Sequence, residues 1–402
     1  MTDSVRRHPI RPLALLAFAF AALALGPLAS GASAKTSVYS ISNAAPKNTL
    51  IKFVQRGNGT LKKVQTIKTG GSGGLAPQPG CEPPGGCPML DTQSEVVVWK
   101  RLVFAVNAGS DSITSFIEKK NGKLKRVDVQ SSMGDFPNSI AVKRGVLYVL
   151  NSHSDSIAGF KFDKRGEIRR IVNSVRPLAA MQIAQGLSPR QIGFDRTGGV
   201  LIVTRLSPLP GGIDTFLLNS KNRPGQAIAN APTTPLPFGF AVDRYNNLVM
   251  SQVSAPPELA MPGNTATYDI NTQTGQLTPI ETVTSDGVAP CWVVITRDGR
   301  YAFVVNTGGG APDATVARYG LTSAGDLTLL GLTGENNANG DEFARTDEVL
   351  SRNGRYLFVL KPAIMANTSQ IDIYRRSGGD LTLVGNTTPN GPAGMSGLAT
   401  RG

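Results

Sequence analysis

Adjacent carboxylates at Asp347 and Glu348, and well-separated cations at Arg190, Arg205 and Lys361, are the side chains whose types suit chemistry. A carboxyl group can take or give a proton at a reacting atom, and a guanidinium grips a carboxylate through paired N–H donors. Such a set fits proton transfer on a small anionic molecule. Imidazole is scarce: His8 and His153 are the two histidines of the chain, and His153 follows Asn151 in a Ser/Asp turn, where a solvated loop histidine is the plainer reading. Without paired histidines a zinc or copper centre is excluded, and no feature requires an organic cofactor. Glu335, Asn337, Asn339 and Gly340 have the spacing that opens a calcium loop, but Thr346 stands where the bidentate Glu belongs. The segment reads as an Asn-Gly loop.

A repeat is what would bring the reactive residues together. Six hydrophobic runs end in a polar residue, at Asn107, Asn151, Arg205, Gln252, Asn306 and Lys361, in steps of 44, 54, 47, 54 and 55 residues. A turn rich in Asp, Gly, Arg or Asn precedes most copies, as in IGFDRTGG (192–199), FAVDRYNN (240–247), VVITRDGR (293–300) and EVLSRNGR (348–355). An alternating strand and a Gly-bearing hairpin follow, so each unit holds four short strands, the content of one propeller blade. The N-terminal VYSISN (38–43), TLIKFVQ (49–55) and GTLKKVQTI (59–67) supply three strands of a further unit, and GPAGMSGLAT (391–400) supplies its missing first strand. The expectation is an all-β fold: a single seven-bladed β-propeller of four-stranded antiparallel blades, its ring closed by pairing N- and C-terminal strands, which removes two sheet edges.

Residues 1–34 read as a secretory signal peptide, with Arg6, Arg7 and Arg11 before the apolar stretch Leu13 to Leu25 and Ala32-Ser33-Ala34 at the cleavage site; residues 35–402 are the propeller domain. The expected location is secreted or periplasmic. Without the leader, 38 Lys plus Arg stand against 27 Asp plus Glu, a net charge of +11. These cations are spread over turns and outer strands rather than gathered with aromatics, so the reading is a solvated basic surface with some affinity for cell-surface polyanions, without nucleic-acid binding. Cys81 and Cys87 bracket Glu-Pro-Pro-Gly-Gly and are expected to form a disulfide in an oxidising compartment, while Cys291 stands alone.

In a propeller, residues that begin each innermost strand or end the next one face the central funnel. Register places Gln93, Asn138, Arg190, Phe238, Trp292, Asp347 and Ser396 in the first group. The second holds Asn43, Asn107, Asn151, Arg205, Gln252, Asn306 and Lys361. Trp292 could serve as a stacking platform or as inter-blade core, and Glu348 and Asp347 as proton carriers or as inter-blade ties.

The Asn-ending strands, followed by AGSDSITSF (108–116) or SHSDSIAGF (152–160) and by G-x-L hairpins such as GKLKRV and GDLTLV, resemble the lactonase family of seven-bladed propellers and, more distantly, YVTN-repeat propellers. The likeness covers essentially the whole chain after the leader. It implies chemistry on lactones or hydroxy acids in the funnel, as in bacterial 6-phosphogluconolactonase and fungal carboxymuconate cycloisomerase. Relatives introduce the third inner strand with Gly-Pro-Arg-His; here Ser188-Pro189-Arg190-Gln191 keeps the arginine and lacks the histidine, and Asn138 stands where relatives show Pro-His. Two classes of function therefore stay open. One is an exported enzyme, hydrolase or cycloisomerase-like, acting on a small anionic lactone or its hydroxy acid, with Arg190 and Arg205 on the carboxylate and Glu348 or Asp347 moving the proton. The other is a non-catalytic propeller that binds a small ligand, a cell-envelope component or a protein. In either class Asn138, Gln252, Lys361 and Trp292 complete the expected ligand-binding set, and a monomer is expected because closed sheets need no partner.

Overall fold

The structure is a computed structural model that describes residues 1–2, 36–75, 90–179, 189–206, 212–253, 262–308, 314–334, 345–363, 368–387 and 394–401. The expected leader, the Cys81–Cys87 pair and the Glu335–Gly340 segment lie outside these residues.

Val, Ile, Leu and Phe in each repeat create strands whose two faces both pack on a neighbouring sheet, so the second strand of each unit is mainly apolar and is buried even at its polar closing residue. Seven antiparallel sheets result. Their innermost strands are Val96–Trp99, Pro137–Lys143, Pro189–Phe194, Pro237–Val242, Pro290–Ile295, Thr346–Leu350 and Ser396–Arg401, which belong to blades 1 to 7 in that order. Each packs against the next, and the last returns to the first. Blade 2 carries one extra short strand, Arg176–Pro177, beside its third strand Ser156–Phe162.

Blade 7 is built from both ends of the chain. Ser396–Arg401 pairs antiparallel with Ser37–Ile41, which continues to Thr49–Gln55 and Leu61–Lys68. The ring is thus closed by hydrogen bonds, as the repeat count requires. A buried carboxylate reinforces the join: Glu118 of blade 1 meets Lys52 at 3.1 Å and Arg401 at 2.5 Å, and accepts the Tyr39 hydroxyl, all three from blade 7. Burial alone would raise the Glu118 carboxyl, but Tyr39, Lys52 and Arg401 together hold it below its ordinary range.

Apolar clusters fill the gaps between adjacent sheets rather than forming one central core; one example joins Tyr148, Leu201, Val203 and Phe216 between blades 2 and 3. The axis is therefore left to the seven inner strands and the residues that open them. In blades 2, 3 and 5 the inner strand opens on Pro, which has no ladder N–H to lose at a first position, and a β-bulge follows at Asn138, Arg190 and Cys291; Asp347 holds the same place in blade 6.

Candidate functional site

A short segment of the chain crosses the axis. Leu90–Gln93, just before the inner strand of blade 1, is fastened to four other blades. The Leu90 N–H donates to Ser396 Oγ at 3.0 Å, and Thr92 Oγ1 donates to the Asn138 carbonyl at 2.9 Å. Trp292 Nε1 donates to the Thr92 carbonyl at 2.6 Å, and the Gln93 amide bridges the Val293 backbone, giving to its carbonyl at 2.9 Å. Gly239 makes room for this crossing, since a Cβ there would lie 2.5 Å from Gln93 Oε1 and 2.3 Å from the Cys291 carbonyl.

Arg190 is the anchor of the segment. It is 2 % exposed; its Nη1 donates to Asp91 Oδ2 at 2.9 Å and to the Asp91 carbonyl at 3.0 Å, and its plane lies 5.3 Å from the Phe238 ring centre. Phe238 in turn meets Trp292 edge-on at 5.1 Å. Burial raises the Asp91 carboxyl, and Arg190 pulls it back. The arginine that register assigned to a ligand's carboxylate thus holds a carboxylate of its own chain.

The other expected ligand-binding residues are also engaged. Arg205 pairs with buried Asp214 at 2.8 Å and donates to the Ala179 carbonyl at 2.7 Å; burial pushes Asp214 up to about 6 despite that partner. Lys361 and Arg345 flank Asp372 at 3.8 and 3.7 Å. Gln252 gives to Tyr268 at 2.7 Å and accepts from Thr233 and Thr234, and Asn138 gives to the Pro189 carbonyl at 2.8 Å. Trp292 is buried against Phe238 and the Thr92 carbonyl. Asn43 turns away from the axis to bind the Gly74 backbone. His153 is exposed in its turn and stacks on Phe136 at 4.1 Å.

Asp347 and Glu348, by contrast, are brought together at a cavity. Below the Leu90–Gln93 crossing, the inner strands enclose a channel of about 440 Å³. Its walls are apolar, including Val96, Ile140, Ile192, Val294 and Leu398; Gln93, Gln191, Asp347 and Glu348 line its inner end, and Val98, Lys143, Phe194 and Thr400 its mouth. The bulge at Asp347 lets two successive residues reach the same cavity. Asp347 accepts the Leu398 and Glu348 N–H groups. Glu348 is 2 % exposed, its carboxyl oxygens have no side-chain partner, and the Val294 backbone N–H is the polar group nearest to moderating its charge. Burial pushes Asp347 up to about 7, moderated by those two N–H groups. Burial, and then Asp347 beside it, carry Glu348 well above the carboxylate range. Neighbouring Glu95, also buried, is raised by burial and by Asp347.

Two members of this centre, Asp91 and Glu95, escaped the repeat register, although the polar run Asp91-Thr92-Gln93-Ser94-Glu95 just before a strand was the signal for them. Among the described residues no group of three or more His, Cys, Asp or Glu is placed to hold a metal.

The sequence model of the seven-bladed β-propeller lactonase family matches residues 47–183. No curated protein matches the chain in sequence. Among solved structures, the periplasmic gluconolactonase PpgL of Pseudomonas aeruginosa is 15% identical with a TM-score of 0.64, covering 90% of this chain and 98% of that one. A Lactobacillus plantarum protein is 14% identical with a TM-score of 0.65 over 92% of this chain and 99% of its own. A Bacteroides uniformis protein, provisionally assigned as a 6-phosphogluconolactonase, is 16% identical with a TM-score of 0.64 over 90% and 98%. At these identities the likeness establishes the fold, and the family model adds the repeat pattern of the N-terminal part.

Proposed function

Starting from a seven-bladed propeller that carries the lactonase-family pattern, we propose that this chain opens or closes a small lactone ring in its axial channel. The observation that carries the reading is Glu348: a buried carboxyl without a side-chain partner, next to Asp347, at the inner end of an apolar-walled cavity. Two neighbouring carboxyls raised to different extents divide the work between acid and base. Protonated Glu348 donates to the lactone carbonyl oxygen as negative charge gathers there. Asp347, titrating near neutrality, takes the proton of the attacking water. In ring closure the same protons move in reverse.

An anionic group on the substrate would face the mouth, where Lys143 stands with its ammonium on the Asp195 and Arg196 carbonyls, rather than buried Arg190, whose Nη1 is held by Asp91. Export is part of the proposal: the leader-like first 34 residues support it, and the Pseudomonas aeruginosa relative is described as periplasmic.

The test is turnover of a panel of sugar and aromatic lactones by purified protein. Wild type should hydrolyse at least one, and Glu348→Gln and Asp347→Asn should each lower kcat by about 10²-fold or more without lowering the melting temperature. Activity untouched by both substitutions removes these carboxyls from the mechanism. The second reading, a non-catalytic binding propeller, is favoured by one observation, the occupation of Arg190 by Asp91. It predicts saturable ligand binding without turnover.

A further inference from the structure

The basic residues that looked scattered along the chain collect on one face. Blades 1 to 6 turn from the inner strand to the second strand at the end where the channel opens, and those turns carry the cations. In blades 3 to 6 a buried polar residue caps the turn and an arginine follows it outward. Asp195 binds the Thr197, Gly198 and Val200 N–H groups and precedes Arg196; Asp243 binds those of Tyr245 and Asn247 and precedes Arg244. Thr296 and Ser351 cap in the same way before Arg297 and Arg352. The caps spend their polarity on the backbone, which leaves the arginines as the outward charge. Lys100 and Arg101 occupy the corresponding turn in blade 1, Arg144 in blade 2, and Arg401 ends the inner strand of blade 7. Blades 5 and 6 add Arg300 and Arg355.

These cations surround the channel as a ring. Lys100, Arg297, Arg352 and Arg401, from four blades, line one recess of about 410 Å³ that shares Val98 and Thr400 with the channel mouth. Asp298 is the exposed carboxylate among these turns; the hairpins between third and fourth strands at the same end add exposed Asp163, Glu167, Asp326 and Asp380 against Lys119, Lys120, Lys123, Lys164, Arg165 and Lys221. The connections on the opposite face expose Asp111, Asp135 and Asp286 against Lys47 among the described residues.

We infer that this face docks onto an anionic lipid bilayer, with a phosphate headgroup entering the recess beside Lys100, Arg297 and Arg352, while Arg401 in its wall stays paired with Glu118. A ring of charges on hairpin tips matches a plane of negative charge better than a single polymer strand, which would meet few of the six turns at once. The recess gives one headgroup a site, while the other cations act through the summed field. The inference does not depend on lactone chemistry, because it uses the rim and not the carboxyls of the channel.

The test is co-sedimentation of purified protein with vesicles of phosphatidylcholine alone or mixed equally with phosphatidylglycerol. Binding is expected to the mixed vesicles only, and to be lost at high salt. The triple variant Arg196→Glu, Arg244→Glu, Arg355→Glu should bind about tenfold more weakly or worse. A control with the same change in net charge away from this face, Lys47→Glu, Lys68→Glu, Arg176→Glu, should bind as wild type. Equal weakening by both triples would mean that net charge alone is at work, and would overturn the inference. So would the absence of vesicle binding, or capture of soluble dextran sulfate with the same face dependence while vesicles stay unbound. Unchanged melting temperatures in both triples would confirm that folding is not the cause.

Discussion

Removing the Asp91 carboxylate probes the axial crossing directly. Arg190 is buried and Asp91 Oδ2 lies 2.9 Å away, the acid being partly reached by solvent with 19% of its side chain exposed. Arg190 Nε has no hydrogen-bond partner, so the guanidinium has little compensation beyond Asp91 and the Phe238 face. Breaking a buried pair by deleting one partner costs about 3–5 kcal/mol, because the surviving charge is left uncompensated. That is a large share of the roughly 5–15 kcal/mol that holds a domain folded. Asp91→Ala should therefore lose about 3 kcal/mol or more in urea unfolding, and Asp91→Asn, which keeps a polar group beside Arg190, about half as much. Trp292 fluorescence is a local reporter, since its indole donates to Thr92 within the crossing. Replacing both partners, Asp91→Ala with Arg190→Met, should recover most of the loss. A cost under about 1 kcal/mol for Asp91→Ala, the size of an exposed pair, would refute the reasoning. So would a double variant no more stable than the single one.

Three further outcomes are expected. Asp347 binds its proton more tightly folded than unfolded, so its contribution is complete below about pH 4 and is lost as pH rises through about 7; the melting temperature should fall between pH 5 and 8, less steeply in Asp347→Asn, as calorimetry would read. Glu118 is shifted the other way, so its support of the ring closure is present above its unfolded pKa and lost in acid; Glu118→Gln should cost about 2–4 kcal/mol and speed amide exchange in Ser37–Ile41. Gly239→Ala should destabilise by about 2 kcal/mol or more through contact with Cys291 and Gln93, measured by urea unfolding.

The architecture was legible because the apolar runs recur at a steady period and their closing residues fall where the second strands end, at Asn107, Asn151, Arg205, Gln252 and Asn306. The missing first strand of the last blade followed from counting. Asn43 could not be placed, since the first strand ends at Ile41 and the chain then turns. At the centre, Asp347 and Glu348 were readable from their offset within the repeat. Asp91 and Glu95 were not, because the long Gly/Pro-rich insertion before blade 1 interrupts the period just where they stand. The engagement of Arg190 was hidden for a different reason: its partner is 99 residues away in sequence, and pairing at that separation leaves no local pattern. Charge segregation was hidden too. Arginines one repeat apart look dispersed until the ring stacks their hairpins side by side.

Among the described residues, the Leu90–Gln93 crossing covers one end of the axial channel and leaves the Val98–Thr400 end as its door. Whatever reaches Glu348 must back out past Val98 and Thr400, so arrival and departure contend for a single passage. A spent molecule lingering inside excludes the next, and saturation should depend on clearance as much as on capture. A through-going tunnel would permit one-way traffic; a cul-de-sac imposes a queue.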